Sequence, residues 1–178
     1  MPAEWEPHAR TWMAWPCRLE PWGSAEGLLR ARLGHANVAR AISGFEKVTM
    51  AVHPRDADEA RLMMGRGVDF FEVPIDDSWA RDSGPIFVVD GKDSVAGVHW
   101  RFNAWGNKYH GFEEDAAFGG RVIEALDMRK YDGPMVLEGG SICVDGQGTL
   151  ITTEQCLLNA NRNPNLDRQQ IEERLALY

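Results

Sequence analysis

Short apolar runs alternate with polar stretches along the chain, and glycine, proline and asparagine punctuate them. The run 11–15, closed by Pro16, predicts a strand. Ser24, followed by Ala25 and Glu26, predicts the N-cap of a helix reaching about residue 42. Leu28, Leu29, Ala31, Leu33, Val38 and Ala41 give that helix its expected apolar face. Residues 47–53 read as a strand with Val48, Met50 and Val52 alternating, and 56–65 as a helix ended by Gly65. A further strand is expected over 68–74.

The second part repeats this grammar with hairpins added. Residues 85–89 run into Asp90-Gly91, a hairpin signal, and 94–102 supply the partner strand. A helical pattern follows over 112–129 through Phe118, Val122, Ile123 and Leu126, and then a short buried strand over 135–137. Residues 141–144 and 149–152 flank Asp145-Gly146 as another hairpin. Four Asn and a Pro make 159–165 a loop before a last helix from about Leu166. Strands and helices alternating with hairpins predict an α/β or α+β fold, in which strand–strand–helix–strand units recur loosely. The last pattern stops at Tyr178 without a capping glycine, as a chain cut mid-helix would.

Composition narrows the function classes. Of 178 residues, 44% are hydrophobic and 26% charged, the balance of a folded domain rather than of a disordered or coiled-coil chain. Nineteen basic and 27 acidic residues give a net charge of −8, which argues against a nucleic-acid partner and does not oppose a small cationic ligand. Seven Trp against three Tyr supply amphipathic rings that fit pockets as well as cores. Three separated cysteines make neither a zinc site nor a disulfide framework. With a polar, proline-broken opening and no membrane-length apolar run, the expectation is a soluble protein of a reducing cytoplasm, without a membrane partner.

The densest chemistry lies at 76–85, where Asp76, Asp77 and Asp82 surround Trp79 and Arg81 before the stiff Gly84-Pro85 turn. A solvated turn with an Asp–Arg pair is the plain alternative. Trp79 among the charges, between two strands, favours a cleft. The second constellation is Glu138, which follows an apolar strand and precedes Gly139-Gly140. A carboxylate there is partly buried and needs a cation, either a neighbouring arginine or a ligand, unless it turns to solvent. The third, 101–109, interleaves Phe102, Trp105 and Tyr109 with Asn103 and Lys108. It reads either as a pocket wall or as a strand end and surface turn. The five histidines have no metal spacing, Cys156 reads as a small buried hydrophobe, and Cys143 has no obvious base.

In order, Asp77-Ser-Trp-Ala-Arg-Asp-Ser-Gly-Pro85, Phe102-Asn-Ala-Trp-Gly106, Leu137-Glu-Gly-Gly-Ser-Ile142 and Leu157-Leu-Asn-Ala-Asn-Arg-Asn-Pro164 resemble the motifs of agmatine deiminases, within the wider bacterial-type peptidylarginine deiminase group. The opening Met1-Pro-Ala-Glu-Trp-Glu-Pro-His8 agrees, so the likeness covers residues 1–178 as part of one domain. The resemblance implies a pentein α/β propeller of ββαβ modules, of which this chain would be about half. It implies hydrolysis of agmatine to N-carbamoylputrescine and ammonia, on the way to putrescine, with no metal or organic cofactor and with homo-oligomers common. By motif match, Asp82 grips the guanidinium with Trp79 nearby, and Glu138 is a second acidic residue of the substrate pocket. Asn103, Lys108 and Trp5 match family motifs without an assigned catalytic role. A guanidinium is planar, permanently charged and forked, so paired carboxylates suit it.

The same resemblance marks a departure. The family's nucleophilic cysteine and catalytic histidine belong to a chain about twice this long, in the part that would follow Tyr178. Cys17, Cys143 and Cys156 do not match the nucleophile, and Cys143 stands where a histidine is frequent. The expectation is therefore a front half that carries substrate carboxylates without thiol machinery. The competing class is a non-catalytic guanidine- or polyamine-binding half-propeller, or a truncated inactive gene product.

Overall fold

The computed structural model describes residues 1–92 and 94–178, which separate into two compact units. One comprises Pro7–Ala80, and the other Met1–Glu6 with Arg81–Tyr178.

The first unit alternates strictly between strands and helices. Strands β1 (Thr11–Ala14), β2 (Val48–Val52) and β3 (Val68–Glu72) form a parallel sheet in that order, joined by helices α1 (Ala25–Ser43) and α2 (Ala57–Met64). All of β2 is buried, as expected for the centre of a sheet covered on both faces. Val48, Met50 and Val52 pack with Ala36 and Ala39 of α1 and with Ala57, Ala60 and Met64 of α2. Thr49 and Ala51 are buried on the opposite face, where the rings of Trp12 and Phe71 meet edge to face at 5.7 Å. The expected alternation of β2 thus gives way to a strand that is apolar throughout.

Helix α1 begins where expected, with the Ser24 side chain accepting from the Gly27 N–H, but its buried face is not the one the apolar pattern predicts. Leu29, Leu33, Val38 and Ala41 are exposed, while Arg32, Ala36 and Ala39 are buried. Small alanines let the helix lie close to the sheet, and Arg32 is tolerated because its guanidinium is fully engaged. It donates from Nε to the Pro16 carbonyl at 2.9 Å, from Nη2 to Asp56 at 2.9 Å and from Nη1 to Glu59 at 2.5 Å, 5.8 Å from the Trp15 ring.

The second unit contains the strand–strand–helix–strand order expected of a module. Strands β4 (Ile86–Val89) and β5 (Val95–Arg101) form the hairpin, α3 (Glu113–Ala125) crosses over, and β6 (Arg129–Val136) returns parallel to β5, which is central. The helix is shorter and the last strand longer than expected, because Asp132-Gly133-Pro134, nominally turn residues, continue the strand past a register shift between His99 and Arg101. Gly133 is needed there for space, since a Cβ would lie 2.5 Å from the Trp100 ring. On the α3 side the His99 ring sits against Gly119 and Gly120, with Nε2 2.8 Å from the Ala116 carbonyl.

The hairpin of β7 (Ile142–Val144) and β8 (Leu150–Thr152) and helix α4 (Arg168–Leu175) complete this unit. Asp167 and Gln170 close α4 with a reciprocal capping box. Its core joins Val98, Trp100, Met135 and Leu137 to Ile142, Leu157, Ile171 and Leu175.

Candidate active site

The second unit brings Asp82 and Glu138 together. Asp82 rides on the single helical turn Ala80–Ser83, just before β4, and Glu138 follows the end of β6. Asp82 Oδ1 accepts from the backbone N–H of Gly140 at 3.0 Å, and Oδ2 accepts from the indole Nε1–H of Trp105 at 3.2 Å. Each oxygen keeps a further lone pair. Burial pushes the Asp82 carboxyl above its ordinary value. The hydrogen bonds from Gly140 and Trp105 oppose that shift, the Glu138 charge adds to it and the Arg81 charge opposes it.

Gly139 and Gly140 are required for this approach, not for an unusual backbone. A Cβ at Gly139 would overlap the Arg81 carbonyl, and one at Gly140 would overlap Asp82 Oδ1. The glycine pair after Glu138 thus lets one carboxylate-bearing segment lie against the other.

Glu138 is only 2% exposed, deeper than the partial burial expected. The cation it requires is present: Oε1 accepts from Arg162 Nε at 2.5 Å, an ion pair almost wholly out of water. Oε2 is buried and has no hydrogen-bond partner among the described residues. An acceptor left so carries a desolvation cost of about 1–3 kcal/mol, which a ligand N–H would remove.

Arg162 was legible only as part of a motif within the asparagine-rich loop. Its neighbour Asn163 explains its placement. Asn163 is buried, accepts from the Val136 N–H at 3.0 Å and donates to the carbonyls of Val136 and Leu157, each at 3.0 Å. A loop locked onto the end of β6 carries Arg162 to the residue two positions beyond Val136.

Trp105, one of the aromatics of the 101–109 segment, is the other partner. It belongs to a turn, Ala104–Asn107, in which every residue has positive φ: 48°, 56°, 85° and 60° in order. The 101–109 segment is thus a strand end followed by a turn, as one of its two readings had it, but an unusual turn with a polar task. Asn103 holds it by accepting from the Gly106 N–H at 2.9 Å and donating to the Asn161 carbonyl at 2.9 Å.

Trp79 lies in the first unit, half-buried, with its ring stacked on Trp22 at 6.0 Å and 10°. Asp77 is beside it, 2% exposed, and burial raises its carboxyl above the ordinary value against hydrogen bonds from the Ser78 and Cys17 backbone and the Trp22 and Trp79 side chains.

The cysteines fall as structural residues. Cys17 is buried with Sγ donating to the Asp76 carbonyl at 3.2 Å, Cys143 is exposed on β7, and Cys156, half-buried rather than buried, accepts from the Thr153 hydroxyl at 3.3 Å. Among the described residues no His, Cys, Asp and Glu group has metal-binding geometry, and no helix is long and apolar enough to cross a membrane.

The chain is 46% identical to a putative agmatine deiminase of Legionella pneumophila over all of its length and 51% of that protein's. It is 48% identical to an agmatine deiminase of Pseudomonas fluorescens, over 97% of this chain and 48% of the relative. The agmatine deiminase structure of Enterococcus faecalis superposes with a TM-score of 0.95 at 37% identity, over all of this chain and 50% of that one. The chain spans about half the length of the curated relatives it matches. Because the family description of Porphyromonas-type peptidyl-arginine deiminases matches residues 1–178 throughout, the chain belongs to that family.

Proposed function

We propose that this chain supplies the guanidinium-binding carboxylates of an agmatine deiminase. The observation that carries this reading is Glu138 Oε2, a buried carboxylate oxygen without a partner, close enough to Asp82 for its charge to raise that carboxyl. With Arg162 offsetting one of the two charges, the unpartnered Glu138 Oε2 and the carboxylate of Asp82 suit a planar monovalent cation with several N–H donors. A guanidinium is such a cation, and it stays charged at any physiological pH. Hydrogen bonds between charged partners are worth about 1.5–3 kcal/mol each, enough for two carboxylates to set both affinity and orientation. Agmatine as the substrate, in preference to free or peptidyl arginine, is supported by the names of the relatives.

In the reaction proposed, a thiolate adds to the guanidinium carbon, and the C–N bond to one terminal nitrogen breaks. That nitrogen leaves as ammonia after a histidine protonates it. Water then adds to the thio-linked carbon, the C–S bond breaks, and the thiolate is regenerated with N-carbamoylputrescine. Asp82 and Glu138 hold the guanidinium plane while its charge delocalisation is lost. In this reading none of Cys17, Cys143 and Cys156 is the nucleophile, and none of the five histidines is assigned the proton transfer. On the same reading the chain is part of a pentein α/β propeller, and the product of the reaction feeds putrescine synthesis in the cytoplasm.

The test is ammonia release from agmatine, free arginine and a peptidyl arginine by the protein as its source makes it, with its intact mass recorded. Agmatine turnover by a product near twice 20.0 kDa is the expected result. Asp82→Asn should abolish most of it, and Glu138→Gln should weaken substrate use. Undiminished turnover in Asp82→Asn would remove the carboxylate grip from the mechanism.

A further inference from the structure

We propose that Trp105 is a positioning residue for Asp82, aimed by the left-handed turn Ala104–Asn107. The inference rests on the guanidinium-binding role given to Asp82 above. Four consecutive residues of positive φ, three of them not glycine, are an uncommon arrangement that persists only where surrounding contacts enforce it. Those contacts are present. The Asn103 side chain caps the turn, and Gly106 lies so close to Asn161 and Arg162 that a Cβ there would overlap both side chains. The Trp105 ring is braced edge to face by Phe102 at 5.2 Å and Tyr109 at 5.9 Å. The one polar atom of that ring donates to Asp82 Oδ2.

Trp105 and the Gly140 N–H thus bind opposite oxygens of Asp82, which fixes the carboxylate plane before any ligand arrives. The same turn is tied to the second carboxylate. Asn103 donates to the Asn161 carbonyl, Arg162 Nη1 donates to Asn161 Oδ1 at 2.8 Å, and Arg162 Nε donates to Glu138. Asp82 and Glu138 are therefore oriented by one connected frame. Holding reacting partners in a fixed geometry is a large part of catalysis, and small misplacements are costly.

The first measurement needs no variant and no activity. The indole N–H resonance of Trp105 is followed by NMR across pH in the protein as its source makes it. It should shift with the titration of the Asp82 carboxyl, and that response should vanish in Asp82→Asn. A resonance indifferent to Asp82 would overturn the proposal even in a fully active protein. Trp105→Phe keeps the ring and deletes the donor. It should lower kcat/KM for agmatine by about 10- to 100-fold, with the loss largely in kcat, and should move the acidic limb of the pH profile upward. In Asp82→Asn the same change should cost nothing further. Unchanged kinetics in Trp105→Phe would reduce the indole to a packing group. A wild-type protein that releases no ammonia would sink the functional reading alone, because the resonance test still decides the role of Trp105.

Discussion

Gly140 and Asp82, 58 residues apart, are in van der Waals and hydrogen-bond contact at once: the Gly140 N–H donates to Asp82 Oδ1, and no side chain fits at position 140 beside that oxygen. The neighbouring Gly139 is packed as tightly, since a Cβ there would overlap the Arg81 carbonyl. Neither glycine has a positive φ, so both are present for space rather than for backbone freedom.

This separates two alanine substitutions by their outcome. Gly139→Ala presses a methyl on backbone and should destabilise by about 1–3 kcal/mol, as overpacking does. Gly140→Ala presses on the end of a side chain, which can swing away. It should cost less stability and more guanidine affinity. Urea denaturation and calorimetric titration with agmatine measure the two quantities. Equal losses of both in the two variants would refute this division.

The raised Asp82 carboxyl has a pH signature. Its folded-state value lies above the 3.8 of the ordinary group, so the folded protein holds that proton more tightly than the unfolded chain. The associated stability is fully present below the unfolded value and is lost as pH rises through the folded one. Unfolding free energies of wild type and Asp82→Asn, measured from about pH 3 to pH 7, should therefore diverge against the wild type with rising pH. Guanidinium binding reverses the shift, so affinity should increase over the same interval with release of a proton. Calorimetry in buffers of different ionisation enthalpy would detect that proton. A gap that widens in favour of the wild type as pH rises would mean Asp82 is stabilised as an anion without ligand.

Arg162 and Glu138 make a second separable case. Removing one partner of a buried ion pair leaves the other charge uncompensated, at a cost of about 3–5 kcal/mol. Arg162→Ala should approach that loss in urea denaturation, and adding Glu138→Gln should recover much of it, because a neutral amide no longer needs the cation. If the double variant is less stable than Arg162→Ala, the pair is not what Arg162 serves.

Much of the candidate site was legible because its residues are local in the chain. The carboxylate of Asp82 and the glycines after Glu138 lie in compact runs beside strands, and the physical demand for a cation beside Glu138 followed from an apolar strand ending in a carboxylate. What supplies that cation is not local. Arg162 reaches Glu138 because Asn163 is locked to β6, and Trp105 reaches Asp82 through a backbone turn that no propensity favours. Long-range hydrogen bonds leave no periodic trace. In the fold, the alternation of strands and helices carried the element order, but the Asp132-Gly133-Pro134 run hid half of β6, whose bulge is set by contact with β5.

Helix α1 gives the clearest case of a pattern overruled, and it can be tested directly. Its large apolar residues Leu29, Leu33 and Val38 are 47%, 47% and 50% exposed, while Ala36 and Ala39 are sealed against β2. Hydrophobicity alone placed the leucines inside, but the fully buried positions facing the sheet are the alanines Ala36 and Ala39, and the remaining buried position is filled by an arginine with three polar partners. Leu33→Gln should therefore change stability by less than about 0.5 kcal/mol, as surface substitutions do. Ala36→Leu, a change toward greater hydrophobicity, should cost about 1–3 kcal/mol through overpacking. Thermal or urea denaturation of the two variants decides the matter. If Leu33→Gln proved the more damaging, the leucine face would be buried in the protein and the register of α1 against the sheet would be rotated.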